Sequence, residues 1–206
     1  MNLIKSCFSI TAMAILPSTI LYVLVLYFSV KSGIDPILVL RDPIQACDYP
    51  TSVGMISNIG VLMWASATTI SLFTSTSGLV NDSKCRRLFL FGGLLSAVLC
   101  LDDLFLLHDR HVGQNFIYIT YGILTIFILI SFYKLIIRFD SLAFIVSSMF
   151  LGLSILSDKF QESFFISYST MQLYEEGFKF IGIACWLLFW WKASLLAFKQ
   201  FKEQEL

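Results

Sequence analysis

The chain has 206 residues, of which 57% are hydrophobic, 16% aromatic and only 14% charged, and its mean hydropathy is +0.81. Fourteen basic and fourteen acidic side chains cancel to a net charge of +0, which argues against nucleic acid as a partner and against electrostatic attachment to anionic lipid as the main role. A bilayer is the solvent such a composition suits, so the expected fold class is all-α: a polytopic transmembrane helix bundle forming one integral membrane domain over residues 1–206.

A helix rising roughly 1.5 Å per residue needs about 20 apolar residues to cross a hydrocarbon core of roughly 30 Å. Six stretches qualify, near residues 8–30, 52–74, 88–108, 115–137, 141–162 and 174–196. Lys5 ahead of the first stretch resembles the start of a signal peptide. The run is too long for a signal core, however, and no small-x-small site precedes Lys31, so this stretch is expected to stay as a span. Pro17 inside it predicts a kink. The following loop, residues 31–51, carries Pro36, Pro43 and Pro50 and turn chemistry at Gly33-Ile34-Asp35-Pro36.

The second stretch offers Gly54, Asn58 and Ala65 as a small-residue face, and the third offers Gly92, Gly93, Ser96 and Ala97, which predict close helix approach. Only Arg138-Phe139-Asp140-Ser141 joins the fourth stretch to the fifth, so a tight helical hairpin is expected, with Asp140 or Ser141 capping the next helix. In the sixth, Trp186, Trp190 and Trp191 suit a lipid-interface anchor or a contact with a membrane protein partner. Cys7, Cys47, Cys85, Cys100 and Cys185 show no C-x-x-C or C-x-x-H spacing and read as packing residues, not as a disulfide framework.

Alternating the loops across the membrane puts nine of the basic residues on one side (Lys5, Lys84, Arg86, Arg87, Lys134, Arg138, Lys192, Lys199, Lys202) and five on the other. The positive-inside rule makes the first side cytoplasmic, so both termini are expected inside. The same division sends Asp82, Asp140, Glu203 and Glu205 inward and the other ten acids outward, together with His108 and His111. Acidic residues contribute little to topology, so this clustering is a functional clue.

Three segments carry it. Asp102 and Asp103 fall inside the outer end of the third stretch, where an unpaired charge is costly. On a helix turning about 100° per residue, His108 lies about 120° from Asp102, so the two meet only if the helix ends or bends near Leu107. Ser154, Asp158 and Glu162 recur every four residues as one polar stripe. Glu175 and Glu176 open the sixth stretch, where Lys179 can meet the first at i+4 or the second at i+3. Because the three segments lie on different helices, a site must be assembled between the third, fifth and sixth.

Glu175-Glu176-Gly177-Phe178-Lys179 resembles the E-E-x-x-K motif of glutamate-type intramembrane proteases, which use paired glutamates to activate water. In that superfamily histidines follow the motif, whereas here His108 and His111 precede it. Asp102-Asp103 with Asp158-x-x-x-Glu162 resembles the two acidic motifs by which membrane prenyltransferases hold a diphosphate through magnesium. The next acid after Asp103 is Asp109, so the first motif is not D-D-x-x-D. Two histidines are too few for a histidine-rich di-iron site, and H-E-x-x-H is absent.

The expected function is that of a small membrane enzyme acting on a lipid-like substrate, with Asp103, Glu175 and Glu176 as acid–base groups. Asp102, His108, Asp158 and Glu162 are the candidate ligands of a divalent metal ion. The alternatives are a cation or proton pathway and a non-catalytic membrane complex subunit or assembly factor. A bacterial inner membrane or its equivalent is the expected location.

Overall fold

The structure is a computed structural model that describes residues 12, 15–35, 40, 47–50, 52–107, 113–159 and 168–204. Among the described residues the regular structure is helical, in five elements: α1 (Leu16–Lys31), α2 (Met55–Thr76), α3 (Ser83–Phe105), α4 (Gln114–Lys159) and α5 (Tyr168–Gln204). The chain separates into two compact units, Met1–Met55 and Ile56–Leu206. Four helices, α2 to α5, are long and apolar enough to cross a membrane.

In the N-terminal unit, α1 has Pro17 in its first turn. Ile15 before it already has helical dihedrals, φ −64° and ψ −53°, and residues 13 and 14, on which the expected kink turns, lie outside the described residues. The other end closes as the turn chemistry foretold. Gly33 takes φ +73°, Ile34 N–H donates to Ser29 O at 2.9 Å, and Gly33 N–H donates to Val30 O at 3.0 Å. This is the six-to-one and five-to-two pairing of a glycine-terminated helix.

In the second unit, Asp82 caps α3 by accepting from Lys84 N–H at 2.9 Å, which starts that helix five residues before the apolar run. Helix α4 is two helices run together. Its 46 residues would extend about 69 Å at 1.5 Å per residue. Yet Tyr118 donates to Asp158 at 2.7 Å across forty residues, so the chain reverses between them. The reversal falls at Asp140, whose φ −168° and ψ 84° are extended, and Asp140 Oδ1 accepts from Ala143 N–H at 3.1 Å to cap the second arm. Lys192 of α5 donates to the other carboxylate oxygen at 2.7 Å.

Helix α5 is central to this unit. Trp186 and Trp190 are 1% and 0% exposed, whereas Trp191 is 55% exposed. Two of the three tryptophans expected at a lipid interface are therefore core residues. Their rings continue into Trp64 (6.4 Å between centroids), Phe144 (5.5 Å from Trp186) and Phe89 (5.7 Å from Trp190). Such a core is held by close van der Waals packing, which is what remains as a driving force where lipid is as apolar as the side chains.

The small residues of α3 perform as the sequence foretold. A Cβ on Gly92 would fall within the Trp190 ring, one on Gly93 would sit 2.7 Å from Leu72, and Ser96 accepts from Trp186 Nε1 at 2.8 Å. The packing face of α2 is different from the one expected. It runs through Gly60, Trp64, Ala67, Ser71 and Thr74, and Thr74 donates to Ser194 of α5 at 2.9 Å. Asn58 is exposed and Ala65 half-buried on the opposite side, while Gly54 precedes the helix at φ +69°.

Candidate functional site

The site begins where α3 stops. Leu106 takes the left-handed conformation, φ 51° and ψ 46°, and its N–H bonds to Asp102 O. For a residue with a β-carbon that conformation costs about 1–2 kcal/mol. It supplies the helix end that a meeting of Asp102 with the following segment requires. His108 itself lies outside the described residues, as do His111 and Glu162.

Because successive residues on a helix diverge by about 100°, Asp102 and Asp103 face different neighbours. Asp102 is 4% exposed and is hydrogen-bonded by Tyr121 of the first arm of α4. Asp103 Oδ2 accepts from Trp64 Nε1 of α2 at 2.9 Å, and its Oδ1 lies 3.8 Å from Lys179 Nζ of α5. Asp158, on the second arm of α4, accepts from the Tyr118 hydroxyl at 2.7 Å. Each of the three aspartates thus has an aromatic donor from another helix or arm. The antiparallel run of α3 and α5 explains the Asp103–Lys179 register. Ser96 meets Trp186 one part of the way along, so a residue seven further along α3 faces one seven back along α5.

These groups border a cavity of about 240 Å³. Asp102, Asp103, Asp158, Glu175 and Lys179 line it together with Tyr118 and Tyr121. The remaining wall is largely apolar, including Leu99, Ile126, Leu151, Ile155, Trp64 and Trp186. Gly122 and Gly152 also line it, and a Cβ at either would meet nothing within 4 Å. The charged groups are joined by the hydroxyl side chains Thr125, Ser148 and Ser154 in an otherwise largely apolar wall.

The sequence brought forward Asp102, Asp103, Asp158 and Glu175 from three helices, and all four line this one cavity. Ser154 lines it as well, one turn before Asp158, so the described part of the expected stripe shares a face. Glu176 departs from the expectation. It accepts from Lys179 Nζ at 2.7 Å and borders a separate small pocket beside Ile56, Gly60 and Ile183. Glu175 and Glu176 therefore do not form a pair facing one space. Lys179 bridges Glu176 and Asp103, and both Lys179 and Asp103 border the two pockets.

Among the described residues no group of three or more His, Cys, Asp or Glu side chains comes close enough to hold a metal ion. Two of the four expected ligands, His108 and Glu162, lie outside those residues. The donors Trp64, Tyr118 and Tyr121 went unrecognised in the sequence. A signal was present for the tyrosines, since Tyr118, Tyr121 and Thr125 repeat at helical spacing along one face of an otherwise apolar stretch, and all three line the cavity.

Residues 14–193 match a family described as Domain of unknown function (DUF8692). The chain belongs to that family. The range that DUF8692 covers contains every cavity-lining residue, from Trp64 to Trp186. The chain matches no curated protein and no solved structure.

Proposed function

We propose that this chain crosses the membrane six times, with both termini in the cytoplasm, and acts on a lipid-like substrate held in the cavity between α3, α4 and α5. The reading counts α1, α2, α3, the two arms of α4 and α5 as crossings. It takes its orientation from the excess of Lys and Arg at the loops on one side. The cavity then faces the outer leaflet.

The observation that carries this reading is the convergence of Asp102, Asp103, Asp158 and Glu175 from separate helices on one largely apolar space. Apolar walls take the substrate's hydrocarbon. The carboxylates meet its polar head, and a carboxylate within hydrogen-bond reach of a hydroxyl or a water acts as general base. Asp103 and Glu175 are the acid–base groups in this account. Lys179 balances the charge of Asp103, and Glu176 positions Lys179. Tyr118 and Tyr121 fix the orientation of Asp158 and Asp102.

The test is a comparison of lipid extracts from cells producing the wild type, Asp103→Asn and Glu175→Gln at matched levels. The reading expects at least one lipid species to accumulate in both variants. Identical lipid profiles in all three strains contradict it.

A further inference from the structure

The charge and ring content of the cavity say more about its occupant than that it is lipid-like. Four carboxylates, Asp102, Asp103, Asp158 and Glu175, line it. Among the described residues that line it, Lys179 is the basic one, and its Nζ is 2.7 Å from Glu176 and 3.8 Å from Asp103. A phosphate or carboxylate head would therefore enter a field of its own sign. The cation that would hold it is already shared between two acids.

Aromatic rings surround the same end. Trp64, Tyr118, Tyr121 and Trp186 border the space, and all four donate a polar hydrogen to a neighbour: Trp64 to Asp103, Tyr118 to Asp158, Tyr121 to Asp102 and Trp186 to Ser96. Their faces carry negative potential. Rings combined with carboxylates form the arrangement that recognises an ammonium group, by cation–π attraction and by ion pairing with N–H donors. Beyond the head, Leu99, Ile126, Leu151 and Ile155 offer hydrocarbon contacts, and Thr125 and Ser148 add hydroxyls but no charge.

We propose that the cavity takes an amphiphile with an ammonium head and an alkyl tail, and discriminates against one of the same length with an anionic head. This rests on the reading of the cavity as a lipid-like substrate site and names the class of that substrate. The ammonium sits among Asp102, Asp103, Asp158 and Glu175, and the tail runs between the two arms of α4 toward Gly122 and Gly152.

Trp64 and Trp186 border the cavity, so their fluorescence reports its occupant directly. The experiment titrates the full chain in detergent with bromine-tailed dodecylamine, dodecanol and dodecanoic acid, using a Trp191→Phe background to remove the exposed indole. Gly122→Phe or, should it fail to fold, Gly152→Leu adds bulk at a lining position where a Cβ meets nothing within 4 Å, and either leaves the four acids in the chain. The proposal expects the amine to quench at a concentration about tenfold or more below the acid and the alcohol. It also expects the blocking variants to abolish that quenching, and Asp158→Asn with Glu175→Gln to bring amine and alcohol together. If alcohol or acid matches the amine and blocking still abolishes quenching, the head-group assignment is overturned and the cavity reading stands. If blocking leaves quenching by every probe unchanged, both are overturned.

Discussion

Asp103 is held from two sides, by the Trp64 indole at 2.9 Å and by the Lys179 ammonium at 3.8 Å. Trp64→Phe keeps the ring in the core but removes the donor, which leaves a largely buried carboxylate oxygen short of a partner. A loss of about 1–3 kcal/mol is expected, read as a fall in the thermal midpoint in detergent. Asp103→Asn retains an acceptor for the indole, so its midpoint should fall less even though the lipid accumulates. Glycines give a sharper contrast. Gly92→Ala places a methyl within the Trp190 ring and should cost more than Gly93→Ala, whose methyl would stand 2.7 Å from the Leu72 side chain and 3.1 Å from its backbone nitrogen. Equal midpoints for the two alanine variants would contradict the packing described here. The acids were legible as residues because a charge in an apolar run stands out. Their donors were not, since a tryptophan or tyrosine in a membrane helix reads equally as filler until its partner is placed.

Among the elements, α4 shows what spacing reveals and what it hides. Four residues between two apolar runs announced the hairpin, and Asp140 serves as the cap of the second arm. Asp140→Ala removes that cap and the contact to Lys192, for an expected loss of about 1–2 kcal/mol. Lys192→Ala should cost under about 1 kcal/mol, because its ammonium is half exposed and the pair is of surface type. The ratio of the two losses, measured by thermal unfolding, checks the assignment. The face of α2 was not legible. Small residues occur all around that helix, and nothing local distinguishes the side bearing Gly54, Asn58 and Ala65 from the side bearing Gly60, Trp64 and Ala67. What decides is Trp64, whose ring packs on Trp186 of a helix more than a hundred residues away. The same long-range contact explains why the tryptophans of α5 looked like interface anchors. Amphipathic rings suit a membrane surface and a buried hydrogen bond alike, and Trp186 finds its acceptor in Ser96.

At the scale of the whole molecule, the sequence pointed to a site assembled between helices, because no single helix could aim its polar groups at one point. Asp102, Asp103, Asp158 and Glu175 line one cavity from three helices, while Glu176 borders the smaller pocket that Lys179 and Asp103 also line. The cavity's apolar walls and the open space at Gly122 and Gly152 depend on how the arms of α4 meet α3 and α5, a long-range property that no local motif carries. The central claim is that this cavity holds an amphiphile. Native mass spectrometry of the purified wild type and of Gly122→Phe, released from the same detergent, tests it most directly. The account predicts one tightly held amphiphile on the wild type that is absent from the filled variant at equal folding. The same bound mass on both proteins, or none on the wild type, would contradict it.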